Sequence, residues 1–265
     1  EIMTHRMIWS MLFIALLLFL RRNWKTLRQA MRSPANLWNA LACALLLAVN
    51  WLTYIWGVNN GYIIETSLGY YINPLMNVLL GVLVLQERLR PIQWLAIALA
   101  TAGVLYMTIS YGALPWIALT LATTFAIYSL LHKKTSLPSM EGLALETGML
   151  FLPGLGYILW LHSQGQGSFG HTTLDQDLLL IGSGIITAVP LLLFAFAAQR
   201  ISLATLGILQ YLGPTIQLLI GIWVYNEPFD GSRAFAFMMI WTALVIYTLE
   251  GLRFHQRKRR ALQTS

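Results

Sequence analysis

Four ionisable side chains stand inside apolar stretches of this 265-residue chain: His5, Arg6, Glu65 and Glu146. A charge in hydrocarbon is expensive, so groups kept there face a bundle interior and pair, gate or relay protons. Arg6 and Glu65 enter their stretches from the same side to a similar shallow depth. A charge pair between them is therefore geometrically open, as an outer gate or an anion-reading site. Glu146 enters from the other side, roughly 15 to 20 Å away by helix rise, and is expected to work at the opposite mouth, near Arg200. Interfacial charges that merely snorkel are the plain alternative. A proton-coupled cycle needs a titrating carboxylate or imidazole, for which Glu65, Glu146 and His5 are the candidates, whereas uniport or exchange needs none.

A second set is built of amides and phenols. Pro74 and Pro214 fall in the middle of long apolar runs. A helix-interior proline deprives the carbonyl four residues earlier of its donor, here Tyr70 and Gln210. Asn73, Asn77, Tyr211 and Gln217 lie beside them, and Asn50 and Trp51 add polar and aromatic neighbours. Such groups are costly toward lipid and are expected to face a solute-binding interior. The competing reading is a sealed kink with amides bridging helices as glue. Pro153 and Pro190 also kink runs but have no counterparts at the repeat spacing described below.

Other chemistry lacks its residues. HExxH, GxSxG and Walker A motifs do not occur, the five histidines show no metal-ligand spacing, and no cofactor is expected. Gly165 to Gly170 reads GxGxxG, but no strand precedes it, so it carries no dinucleotide site. Cys43 lies in an apolar run and reads as packing.

The elements that position these residues follow from composition. The chain is 57% hydrophobic and 10% charged, with mean hydropathy +0.65, whereas soluble domains carry roughly 25% charged residues. Nine runs of spanning length appear, at 2–20, 37–58, 63–85, 91–109, 114–131, 142–161, 178–198, 203–225 and 234–252. Lipid offers no partner for backbone polar groups, so each run is expected to be a helix and the fold all-α and polytopic. The net charge of +7 does not imply nucleic acid. All but two of the 17 basic residues lie in alternate loops, Arg6 and Arg233 being the exceptions. By the positive-inside rule those loops and the 253–265 tail are cytoplasmic, and Glu1 starts at the outer face.

An offset of 140 residues relates the two halves. YYINPLMNVLLGVLVLQE aligns without gaps to QYLGPTIQLLIGIWVYNE, matching Tyr71 with Tyr211, Pro74 with Pro214, Gly81 with Gly221 and Glu87 with Glu227. Run 114–131 has no partner, so the first helix of the first copy is expected to be missing, leaving nine of ten helices. Five helices per copy is odd, so the copies, 1–111 and 112–252, run in opposite directions through the membrane. Inverted repeats of this kind suit alternating access.

THRMIWS, NWLTYIWGVNN, ETSLGYYINPLMNVLLGVLVLQER and TLGILQYLGPTIQLLIGIWVYNE together resemble the RarD branch of the EamA family, in the drug/metabolite transporter superfamily. The similarity covers essentially the whole chain. It implies ten helices with cytoplasmic termini and a central cavity lined by the first four helices of each repeat. The expected function is secondary transport of a small organic or drug-like solute across a bacterial inner membrane, with the lipid bilayer and the solute as partners and protons as a candidate coupling ion. A membrane-embedded enzyme or a non-transporting scaffold is the rival reading. An enzyme, however, needs clustered acids and bases at one interface, and a scaffold has no need of matched mid-span prolines. The natural substrate, the direction of transport and the oligomeric state are not fixed by these residues.

Overall fold

A computed structural model describes residues 1–22, 24–171, 173–224 and 231–263. Among the described residues every regular element is an α-helix: α1 Ile2–Leu20, α2 Trp24–Met31, α3 Pro34–Asn59, α4 Ile63–Leu83, α5 Pro91–Tyr111, α6 Trp116–Lys134, α7 Ser139–Ser163, α8 Leu174–Arg200, α9 Leu203–Gln210, α10 Leu212–Val224 and α11 Gly231–Gln263. Seven stretches among the described residues are long and apolar enough to cross a bilayer, with Leu203–Val224 spanning α9 and α10 together. The other two long helices, α4 and α6, have 21 and 19 residues. Their composition is diluted by Glu65, Asn73 and Asn77 in one and Thr123, Thr124 and His132 in the other.

The expected runs are helical, with three differences. Run 203–225 is split between α9 and α10 rather than continuous. Helix α6 continues past the apolar run to Lys134, which takes His132 into the helix. The basic loop after α1 contains the eight-residue α2, which buries Leu27 and Ala30 and leaves Lys25 and Arg28 exposed. That is the pattern of a helix lying along a membrane surface. Eight residues fall far short of a span.

The described residues form two compact units, and each draws on both sequence halves. One comprises residues 1–51 and 128–200. Its core joins Ile14 and Leu18 of α1, Leu27 and Ala30 of α2, Leu143 and Ala144 of α7, and Ala188 of α8. Helices α1 and α8 meet where Gly184 lies under Trp9, so closely that a Cβ at 184 would sit 2.3 Å from the Trp9 Cβ. Ser10 Oγ donates to the Gly184 carbonyl there at 3.0 Å. Small residues let helix backbones approach where lipid gives no hydrophobic drive to association.

The second unit comprises residues 52–127 and 201–265. Leu68, Ile72 and Val78 of α4, Ala96, Ala100 and Val104 of α5, Ile208 of α9, and Phe237 and Ile240 of α11 form its core. Helix α5 starts on Pro91, with the Arg90 N–H donating to Gln93 Oε1 at 3.0 Å. Arg90 also pairs with Glu250 of α11.

Candidate functional site

Proline chemistry shapes the second unit. Ser202 caps α9 by accepting the Thr205 N–H at 3.1 Å, and the helix stops at Gln210 because Pro214 offers no N–H to the Gln210 carbonyl. Tyr211 turns the chain and α10 resumes at Leu212. Pro74, at the matching place in α4, kinks nothing open, and α4 runs through it. The Tyr211 hydroxyl, 1% exposed, crosses from the break to the Tyr71 carbonyl at 3.1 Å. Past the break, Pro214 and Gln217 line a cavity of about 350 Å³ together with Tyr70, Tyr71, Tyr111 and Phe237. Tyr54 meets the half-exposed Tyr70 edge-on, with ring centroids 6.0 Å apart.

The amides go elsewhere. Gln210 Oε1 accepts from Asn77 Nδ2 at 2.7 Å and from Asn73 Nδ2 at 3.2 Å, filling both of its lone pairs. Asn77 Nδ2 also reaches Asn73 Oδ1 at 3.3 Å. This knot ties α4 to α9, whose backbones nearly touch: a Cβ on Gly207 would lie 2.5 Å from the Pro74 carbonyl. The expected binding set thus divides. Tyr70, Pro214 and Gln217 line a cavity, while Asn73, Asn77 and Gln210 clamp two helices.

Two carboxylates work as helix caps. Glu65, 2% exposed, accepts the Ile117 N–H at 2.7 Å and the Tyr111 hydroxyl at 2.9 Å, holding the N-terminus of α6. After α4 the chain passes through Gln86 at φ 57, and the Glu87 N–H turns back to the Gly81 carbonyl. The Glu87 carboxylate then takes the Leu203 and Ala204 N–H groups, at 2.6 and 2.9 Å. A negative charge on orphan amides at a helix N-terminus is favourable. Gly81 is small because the carboxylate folds over it: a Cβ there would lie 2.7 Å from Glu87 Oε2. The repeat had marked Gly81 and Glu87 as matched residues without revealing this role. Their counterpart Glu227 lies outside the described residues.

The charges of the first unit meet a mixed set of partners. Arg6 Nε donates to Thr187 Oγ1 at 2.9 Å, and its guanidinium lies 5.0 Å from the centroid of Trp51. Asn50, one residue before, is partly buried. His5 lies against Phe169, with ring centroids 5.1 Å apart, and its Nε2 is 3.6 Å from Glu1. Arg200 folds back onto its own helix, donating to the Phe196 carbonyl at 3.1 Å, rather than pairing with Glu146. Glu146 instead faces α6: His132 Nε2 is 3.1 Å from Oε1, and the Tyr128 hydroxyl donates to Oε2 at 3.2 Å. All three are buried. Cys43 of α3 completes the group, its sulfur within 4.8 Å of the nearest His132 and Glu146 ligand atoms. Sequence reasoning missed Tyr128 and His132. Their spacing of four residues, which puts both on one helix face, was the available signal.

The EamA-like transporter family matches residues 1–109. The protein RarD of Streptomyces exfoliatus is 45% identical over the whole of this chain and 84% of its own length. The chain belongs to the RarD branch of the EamA family. An uncharacterized transporter of Bacillus subtilis, YojE, is likewise 45% identical, over 98% of this chain and 87% of its own. A protein named chloramphenicol-sensitive protein RarD, from Pseudomonas aeruginosa, is 29% identical over 98% of this chain and 88% of its own. A solved protein crystal structure superposes with a TM-score of 0.69 at 20% identity, covering 96% of this chain and 88% of that one, which shows the shared fold. The RarD-branch chain is a transporter of the drug/metabolite superfamily and a multi-pass bacterial membrane protein.

Proposed function

We propose that this transporter moves a small organic solute by alternating access, and that the solute binds in the cavity beside the α9–α10 break. The observation that carries the reading is the interruption itself. A discontinuous membrane helix places unpaired backbone polar groups beside a cavity, the arrangement in which secondary transporters hold their substrates. The cavity of about 350 Å³ falls in the range of small-molecule sites. Its phenols and the Gln217 amide around an apolar wall suit a neutral aromatic or amide-bearing solute. The name of the Pseudomonas aeruginosa relative supports including chloramphenicol among the probes. Glu65 and Glu87 serve as caps, Glu250 pairs with Arg90, Glu146 meets His132, and Glu1 and Asp177 hold the 168–170 loop, so these acids do not converge on one site, which favours transport over catalysis. The alternating basic loops support a cytoplasmic C-terminus, and the 140-residue repeat supports two inverted copies, 1–111 and 112–252.

A thermal-shift screen of chloramphenicol and small aromatic amides on the purified protein tests the site. A stabilising compound should lose most of its effect in Tyr70→Ala and in Gln217→Ala, and keep it in a variant of exposed Leu79. Equal stabilisation in all of these variants refutes the location. Saturable flux of the same compound in vesicles separates a transporter from a membrane enzyme or scaffold.

A further inference from the structure

The acids in this chain differ in what holds them. Both oxygens of Glu65 and both of Glu87 are occupied by donors that do not titrate near neutral pH, chiefly backbone amides. Glu250 pairs with the permanently charged Arg90. Glu146 differs: its nearest partner is an imidazole, His132 at 3.1 Å, and both groups are 2% exposed. An isolated charge at such a place is costly, so a proton has reason to bind there. The ring has one further property. His132 Nδ1 is buried and has no hydrogen-bond partner. Metal-bound histidines keep a partner on the second nitrogen, whereas a relay needs that nitrogen free to receive a proton.

Position matches the chemistry. His132 lies in the last turn of α6, two residues from exposed Lys134. On its other side Glu146 borders a void of about 10 Å³ with Ser10, Trp51 and Thr187, and Thr187 holds Arg6. The wall of that void is apolar and is completed by Met7, Leu47, Leu150 and Leu191. The carboxylate thus stands between a helix end and the packed interior of its own unit.

We propose that Glu146 takes up and releases a proton coupled to the transport cycle, with His132 as its relay. A proton binds at His132 Nδ1, the Nε2 proton passes to Glu146 Oε1, and the neutral carboxyl then donates back to Nε2. Release reverses the order. Nδ1 is sealed in this conformation, so uptake belongs to a state in which the end of α6 has opened. The groups facing Glu146 are Cys43 from α3 and Tyr128 and His132 from α6; α1 and α8 present Met7, Ser10, Thr187 and Leu191, which do not titrate. Helix α2 packs its apolar face into the same core, with Lys25 and Arg28 left exposed.

The proposal deepens the transport reading but is tested without a solute. Infrared pH titration of the purified protein in nanodiscs should show a protonated-carboxyl band that is absent in Glu146→Gln. In His132→Asn the proton loses its relay and in Tyr128→Phe the carboxylate loses a donor, and the midpoint should move by about one pH unit in each. Hydrogen exchange, corrected for the intrinsic rate, should show the end of α6 opening with the same midpoint, and opening independent of pH in Glu146→Gln. A band that survives Glu146→Gln overturns the proposal. So does an unmoved midpoint in His132→Asn, or α6 opening that keeps its pH dependence in Glu146→Gln. None of these results bears on the Tyr70 cavity, whose failure is read separately in the thermal-shift screen.

Discussion

Glu65 shows how a charge inside a span can be structural. Its two oxygens are used by Ile117 N–H and Tyr111 O–H, so removing the side chain leaves a buried amide and a phenol without acceptors. Hydrogen bonds to charged groups contribute about 1.5 to 3 kcal/mol each. Glu65→Ala should therefore lower the thermal unfolding midpoint of the purified protein, by a loss of about 2 to 4 kcal/mol after solvation of the freed groups. A gate would instead change flux at unchanged stability, and an unshifted midpoint would remove the capping account. Arg6 in turn donates to Thr187 and lies over the Trp51 ring, contacts that help hold a cation in place.

Among the elements, the α9–α10 break is the decisive one. Pro214→Ala restores an N–H opposite the Gln210 carbonyl and should join the two helices. The variant should gain up to about 3 kcal/mol of stability and lose solute-dependent thermal shift, with slower hydrogen exchange around residue 214. Unchanged exchange would show that Tyr211, not proline, makes the break. The sequence disclosed the helices readily, because lipid permits one backbone solution and apolar runs mark it. It disclosed the place of the break through matched prolines, yet not that Pro74 would be absorbed within α4 while Pro214 divides its helix. That difference depends on neighbours, such as the Gly207 backbone lying against the Pro74 carbonyl. The amides were legible as interior groups but not as partners of one another, since adjacency across 133 residues is a matter of packing. His132 was hidden for a simpler reason: it follows the apolar run directly and precedes two lysines, and so reads as loop.

At the level of the molecule, duplication predicts opposite polarity for equivalent residues. In a Cys43→Ser background, single cysteines replacing Glu87 and Glu227 should be labelled by impermeant maleimide from opposite sides of the membrane; labelling from one side would end the inverted-repeat reading. The caps add a mechanical condition. Glu65 near one end of α4 and Glu87 beyond the other each grip the start of a helix from the second sequence half, α6 and α9. Pulling the halves apart as two blocks would tear out both grips at once. The chain is stapled across the joint between its two sequence halves, so a conformational cycle that spares these staples must pivot within the halves, and the unwound turn at Tyr211 is a ready fulcrum.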